Sequence, residues 1–363
     1  MTRKRITLSG YYGFKNAGDE AVLAGIIKAL RMQPGGDDLD IDVLSMDPAE
    51  TTSTHHVDAS HRYKIGALLK SISKTDLLLS GGGSLLQDVT SAHGIFYYAG
   101  VVRVAQMMGK KTMFIGQGIG PLKLPRSRKL VAGVANRLNA VTVRDPESLA
   151  LLKEIGVTRP SIEVTADPAL LLPAERSPVA PPLLGAGKIL FSLRPWHTGT
   201  DDLTDRLVDA ALALSPSIQA ETLSMQPQTD DDVMTAFANR WTEKGGSTPS
   251  TAATGDVDRL HRIIDALSSA ELVVGMRLHA LILAAGAGVP SLALSYDPKV
   301  RSFMQFSGQE DAVIDVDSTT DFTRLLADVW STRHERAERL RARLPSMRAA
   351  AMRNAEIAMG LLG

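Results

Sequence analysis

The sequence predicts an α/β chain made of two Rossmann-like domains, each a parallel sheet wound by helices, that flank an interdomain cleft. Short β-rich runs alternate with helical stretches from end to end, the pattern of strand–helix–strand units. The chain has 363 residues, enough for two cores of ordinary size. A proline-dense segment at residues 173–182, PAERSPVAPP, is too stiff and polar to belong to either core and divides the chain near its middle.

Residues 6–9 predict the first strand. Residues 17–32 predict the first helix, because Val22, Leu23, Ile26, Ile27 and Leu30 recur at helical spacing. A second strand spans 41–46, and 47–62, rich in threonine and histidine, reads as a loop. A buried strand at 75–80 runs into Gly81-Gly82-Gly83. A helix at 95–108, a strand at 112–116, a helix at 127–138, a strand at 140–143, a helix at 146–155 and a strand at 162–165 complete the first half. Beyond the linker, a strand at 188–193 and a helix at 203–214 open the second half. Residues 245–255, GGSTPSTAATG, read as a loop, and 258–267 as a helix. Then come a strand at 272–274, a turn at Gly275, an apolar helical run and a strand at 291–295. An amphipathic helix at 322–330 precedes an arginine-rich helical tail from Arg333. The expected division is 1–174, a linker at 175–187, 188–330, and a tail at 331–363 that packs back on the first domain. Four Asp-Pro pairs (Asp47-Pro48, Asp145-Pro146, Asp167-Pro168 and Asp297-Pro298) follow strands. Aspartate caps a helix and proline suits its first position, so the ordinary role of each is structural.

Composition narrows the function classes. Lysine plus arginine equal aspartate plus glutamate at 40 each, so no global field favours nucleic acid. The absence of cysteine excludes thiolate metal sites, cysteine nucleophiles and disulfides. No histidine pair has the spacing and carboxylate company of a zinc site, and no metal or cofactor is expected. The N-terminus lacks a signal-peptide core, and the longest apolar runs are far too short to span a membrane. A cytoplasmic protein is expected, able to work on a membrane only from its surface.

Several clusters could carry chemistry. YYGFKNAGDE follows the first strand and sets Tyr12, Asn16 and Asp19 at a helix start suited to anions or hydroxyls. It is not GxGxxG, so a dinucleotide fingerprint is unsupported. GGGSLLQD supplies Gly82 and Gly83 for close backbone approach and Ser84, Gln87 and Asp88 for hydroxyl contacts. GQGIGP, with Gln117, repeats the theme at the next strand end. Arg144 ends a strand, and its ordinary role would be an ion pair with Asp145 or a neighbouring helix. Arg277 and His279 flank Leu278 at the start of a helix, and Lys299 follows the next strand. Two cations and a titratable imidazole thus reach the ends of neighbouring strands, where open α/β sheets hold ligands. His93, close after the glycine run, is a secondary candidate. The arginine-rich tail reads as a solvated helix face or a contact to anionic lipid.

Taken in order, YYGFKNAGDEA, GGGSLLQD, GQGIGP, VTVRDPES, VGMRLHALILAAGAGVP and SYDPKV resemble the polysaccharide pyruvyl transferases, with the bacterial CsaB group the nearest in appearance. The resemblance runs from Ile6 to about Phe306, and the motifs are specific jointly rather than singly. It implies a GT-B-like fold with the site in the cleft, acceptor on the first domain and donor on the second. It implies transfer of the pyruvyl group of phosphoenolpyruvate, as co-substrate, onto a sugar as a cyclic ketal. In the CsaB group the acceptor is a lipid-diphosphate disaccharide whose N-acetylmannosamine takes the ketal across O4 and O6, in secondary cell-wall polymer synthesis and S-layer anchoring. The resemblance further implies that Arg144, Arg277 and Lys299 hold phosphoenolpyruvate and that His279 is the acid–base residue. The chain would then sit in the cytoplasm, at the inner face of the plasma membrane. Two other readings fit the same fold: a nucleotide-sugar glycosyltransferase, for which the second half shows no glutamate-rich donor signature, and a non-catalytic sugar- or anion-binding module.

Overall fold

The computed structural model describes residues 3–89, 92–173, 187–196, 200–215, 217–252, 258–318 and 322–363. Most of the proline-dense linker, His197 and the end of the 245–255 segment lie outside the described residues, as does the side chain of His93. The chain forms two compact units, Met1–Leu171 with Arg348–Gly363, and Leu172–Met347.

The first unit alternates strand and helix throughout. Its elements are β1 (Arg5–Tyr12), α1 (Ala17–Arg31), β2 (Asp40–Ser45), α2 (Pro48–His55), β3 (Asp58–His61), α3 (Ile65–Lys74) and β4 (Leu77–Leu86). They continue with α4 (Ala92–Met107), β5 (Lys111–Ile119), α5 (Pro125–Ala135), β6 (Ala140–Val143), α6 (Pro146–Glu154) and β7 (Ile162–Val164). The seven strands are ordered β3-β2-β1-β4-β5-β6-β7, and every pairing is parallel. Order reverses between β1 and β4, so the carboxyl ends of those strands form the natural ligand crevice of this unit. Because helices cover both faces, the central strands read as continuous apolar runs. Ile6, Leu8, Leu78, Phe114 and Val141 are all buried.

Residues 47–62 are not a loop but the helix α2 and the strand β3. Asp47 accepts the Glu50 N–H at 3.0 Å, Pro48 opens the helix, and Thr51 is buried against Ser45 at 2.7 Å. β3 is an edge strand, partly exposed and therefore poor in apolar residues, which hides it from a periodicity reading. The glycine runs are not loops beyond strand ends either. Gly81-Gly82-Gly83 lie within β4 and Gly116-Gln117-Gly118 within β5, and the register of each pairing shifts there. These are bulged carboxyl ends, which re-aim the following side chains. Gly82 has φ +69°, and a Cβ on it would meet Val22 at 2.1 Å, so no other residue fits.

The second unit repeats the plan. It comprises β8 (Gly187–Ser192), α7 (Thr200–Leu214), β9 (Ile218–Thr222), α8 (Pro227–Glu243), β10 (Ser250–Thr251), α9 (Arg259–Ser269) and β11 (Leu272–Gly275). Then follow α10 (Leu278–Gly286), β12 (Ser291–Ser295), α11 (Pro298–Ser307), β13 (Val313–Asp315), α12 (Phe322–Ser331) and α13 (Arg333–Leu362). Its parallel sheet is ordered β10-β9-β8-β11-β12-β13, with the switch between β8 and β11. β10 falls inside the segment expected to be a loop; a two-residue, exposed edge strand leaves no apolar signature. Phe191, Phe237 and Trp241 pack with tilted rings in the core, centroids 4.5 Å apart for Phe191–Phe237 and 5.9 Å for Phe237–Trp241.

From Arg348 onward α13 belongs to the first unit. Asn354, nearly fully buried there, uses all its hydrogen-bonding capacity. Its Oδ1 accepts from the Thr142 and Thr165 hydroxyls at 2.6 and 2.9 Å, and its Nδ2 donates to the carbonyls of Ala166 and Ala351 at 2.9 Å. Three of the tail arginines are engaged with carboxylates of the protein. Arg333 bonds Glu271 and Arg336 bonds Asp311, each at 2.8 Å in the second unit, and Arg353 bonds Glu163 at 2.8 Å in the first.

Candidate functional site

In the second unit the candidate residues collect at the carboxyl edge of the sheet, around its switch point. β11 ends at Gly275, paired with Ser192 on β8 and Ala293 on β12. Arg277 is the N-cap residue of α10, with an extended backbone (φ −75°, ψ 116°), and His279 is the second residue of that helix, half-buried. The side chain of Arg277 is held by a carboxylate that is completely buried. Its Nε donates to Asp230 Oδ2 at 3.0 Å, and its terminal nitrogen donates to Asp230 Oδ1 and to the Thr229 hydroxyl at 2.8 Å. Asp230 also accepts from the Gln226 amide at 3.0 Å and the Thr229 hydroxyl at 2.8 Å. This bidentate arrangement fixes the plane of the guanidinium. Lys299 is the second residue of α11, and its Nζ lies 3.0 Å from Asp297, which also caps the helix by accepting the Lys299 N–H at 3.0 Å.

An aromatic group follows β8 and β12 at the same edge of the sheet. Arg194, two residues past β8, donates to the Tyr296 hydroxyl at 3.1 Å and stacks 4.8 Å from its ring. Trp196 packs against Tyr296, centroids 5.5 Å apart, and its indole N–H donates to Asp317 at 2.9 Å. Flat apolar faces next to cations suit a sugar or a small anion.

In the first unit Arg144 is nearly buried. It donates to Asp167 at 2.9 Å and to the Ser84 hydroxyl at 2.8 Å, with Asp145 at 3.8 Å. Gly118 lies against it: a Cβ there would stand 3.0 Å from the guanidinium. Gln117 is fully buried, and neither its amide nitrogen nor its oxygen finds a hydrogen-bond partner among the described residues. The Tyr12 hydroxyl donates to the Gly81 carbonyl at 2.9 Å, and burial, helped by Asp19, pushes its pKa well above the ordinary range, so it remains a neutral donor. A Cβ on Gly83 would stand 3.0 Å from Asp19 Oδ1. Asn16 caps α1 by accepting the Gly18 N–H at 3.0 Å.

Two candidates are committed to loop structure. Gln87 accepts the Val89 N–H at 3.0 Å. Asp88 accepts the amides of Lys123 and Leu124, each at 2.8 Å. Burial alone would raise the Asp88 pKa, but these amides and Ser127 outweigh it and lower it below the usual carboxylate value. All four Asp-Pro aspartates cap, and three of them also pair with a candidate cation: Asp145 and Asp167 with Arg144, and Asp297 with Lys299.

Sequence reading passed over Asp230, Thr229, Arg194, Trp196 and Tyr296. Asp230 opens the triplet Asp230-Asp231-Asp232, which looks like an ordinary solvated acidic run. The one available signal was Pro227, a first-turn proline that marks the start of α8 and hence Asp230 as a helix-start acid. Among the described residues no group of three or more histidine, aspartate or glutamate side chains is arranged to hold a metal ion, and no helix is long and apolar enough to cross a membrane.

The chain matches the family model for polysaccharide pyruvyl transferase over residues 16–298. It is 22% identical to the amylovoran biosynthesis protein AmsJ of Erwinia amylovora, covering 87% of this chain and 89% of the relative. HepE of Anabaena in complex with UDP-glucose superposes with a TM-score of 0.65 at 13% identity, over 98% of this chain and 99% of that one. The UDP-GlcNAc 2-epimerase of Neisseria meningitidis gives 0.59 at 12% identity, over 98% and 100%. At these identities the structural likeness establishes the fold, a GT-B-like pair of Rossmann-like units.

Proposed function

The chain belongs to the polysaccharide pyruvyl transferase family, and from that premise we propose that it moves the pyruvyl group of phosphoenolpyruvate onto a saccharide, with release of phosphate. The observation that carries the reading is Arg277, locked in plane by buried Asp230, beside His279 at a helix start and at the switch point of its sheet. Phosphoenolpyruvate brings a carboxylate and a phosphate, and a planar guanidinium matches either in bidentate fashion. Lys299 supplies a second cation, already held by Asp297, so the donor binds by exchange with or addition to that partner. Arg144 of the first unit, which the family resemblance also assigns to phosphoenolpyruvate, is held by Asp167 in the same way. Tyr12, Asn16, Asp19, Gly82, Gly83, Ser84 and Gln117 are proposed for the acceptor.

The chemistry balances without any further reactant. C3 of the enol gains a proton, C2 becomes cationic, and one sugar hydroxyl adds there and loses its proton. The C2–O bond to phosphate then breaks, a second hydroxyl closes the ketal and loses its proton, and of the two protons released one replaces that taken by C3 and the other leaves on the phosphate. His279 is assigned the proton transfer at the enol or at the acceptor hydroxyl, a role suited to imidazole. Arg277 stabilises the departing phosphate. Following the CsaB resemblance, the acceptor is proposed to be N-acetylmannosamine of a lipid-diphosphate disaccharide, taking a 4,6-ketal on the cytoplasmic side of the plasma membrane in secondary cell-wall polymer synthesis.

A nucleotide-sugar donor is the competing reading, because HepE and the epimerase are described with UDP ligands. Supplying phosphoenolpyruvate and UDP-sugars separately, with the same disaccharide panel, distinguishes them. Phosphate release with phosphoenolpyruvate supports pyruvyl transfer; turnover with a UDP-sugar alone rejects it. Arg277→Ala, Lys299→Ala and Arg144→Ala should each weaken phosphoenolpyruvate binding, and unchanged donor affinity would reject that role for the residue concerned.

A further inference from the structure

We propose that the helical face formed by α3 and α4 docks the protein on an anionic lipid surface. Large apolar side chains exposed among the described residues all belong to the first unit, and most fall on or beside these two helices. Tyr63 is 54% exposed, Ile65 72%, Leu69 38%, Phe96 48% and Met107 76%. Ile65 and Leu69 are four residues apart and share a face of α3; Phe96, Arg103 and Met107 recur along the outward stripe of α4. The two elements meet at their starts, where Tyr63 packs edge-on to Tyr97 with centroids 5.3 Å apart. That end adjoins the carboxyl edge of the sheet, since α3 follows β3 and α4 follows β4.

Charge decides what covers this face. No acidic residue occurs between Asp58 and Asp76 or between Asp88 and Asp145, a span that includes α3, α4 and α5. The same span carries Lys64, Lys70, Lys74 and Arg103, all exposed. The bounding acids are engaged elsewhere: Asp58 pairs with Arg5, Asp76 accepts the Arg5 N–H, and Asp88 accepts the amides of Lys123 and Leu124. On a chain whose formal charge is zero, an acid-free apolar face edged with lysines is matched to headgroup phosphates above an acyl boundary. The arginine-rich tail is the weaker site, because Arg333, Arg336 and Arg353 already bond carboxylates of the protein itself.

This inference extends the lipid-linked-acceptor reading but is tested without it. The full chain is sedimented with phosphatidylcholine vesicles, with and without phosphatidylglycerol, at low and high salt. Wild type should pellet with the anionic vesicles and be released by salt. Lys70→Glu with Lys74→Glu should weaken partitioning at least about tenfold, and Ile65→Ser with Leu69→Ser comparably. Both variants should keep the wild-type unfolding temperature and its phosphate release with a soluble acceptor. Vesicle binding with no phosphate release from any acceptor would leave the docking intact and reject the proposed reaction. Failure of the wild type to bind, or binding unaffected by both variants, overturns the docking. A dimer that Ile65→Ser with Leu69→Ser dissociates, without vesicle binding, overturns it in favour of a second copy.

Discussion

Asp230→Asn tests how the proposed donor site is held together. The wild-type carboxylate, fully buried, accepts from Arg277, Thr229 and the Gln226 amide. Asparagine keeps the shape but loses the charge, and its NH2 group would face one of these donors. Breaking a fully buried ion pair costs about 3–5 kcal/mol. The Arg277 side chain is 16% exposed and recovers some hydration, which brings the expected loss to about 2–3 kcal/mol. For a unit of this size that corresponds to a fall in unfolding temperature of roughly 4–12 °C. Function should suffer separately. Freeing the guanidinium restores up to about 2 kcal/mol of rotamer entropy that binding must then remove, a rise in the phosphoenolpyruvate KM of roughly 5–30-fold with a smaller change in kcat. Thermal unfolding and steady-state phosphate release at varied phosphoenolpyruvate read the two effects. A lower unfolding temperature with unchanged KM would make Asp230 structural only. A lower KM would mean that Asp230 competes with the donor for Arg277, and would refute the positioning argument.

His279→Ala should abolish turnover while leaving phosphoenolpyruvate binding, measured by calorimetry, largely intact; retained turnover rejects the acid–base assignment. Asn354→Ala removes four hydrogen bonds from a buried network and should cost about 1–3 kcal/mol, read as a lower denaturant midpoint. An unchanged midpoint would show that the last turns of α13 do not contribute to the stability of the first unit. Asp88 has a folded pKa below its unfolded value, so its stabilisation is complete above the ordinary carboxylate range and is lost as pH falls through the folded value. Asp88→Asn should therefore unfold at a lower temperature than wild type near neutrality, and the gap should close in acid; a constant gap across pH contradicts the amide clamp.

The fold was legible wherever burial on both faces wrote a continuous apolar strand, as at β1, β4, β11 and β12. It was illegible at the sheet margins. β3 and β10 are half-exposed edges, and α2 is a polar helix recognisable only by its Asp47-Pro48 start. The glycine runs were visible as special, but composition does not separate a loop from a bulged strand end, since both need positive φ. Among the candidate residues, Arg144 in the first unit and Arg277, His279 and Lys299 in the second stood out because they follow strand ends. Their partners did not: Asp230 and Asp167 come from distant stretches and resemble ordinary helix-start acids until the sheets bring them to Arg277 and Arg144.

The central claim is tested most directly by incubating the protein with phosphoenolpyruvate and a ManNAc-terminated disaccharide, and following phosphate and product mass together. The account predicts phosphate release that requires both substrates, with a saccharide heavier by one pyruvate less one water, and loss of both signals in His279→Ala. Phosphate release without an acceptor product, or the same product from His279→Ala, would contradict it.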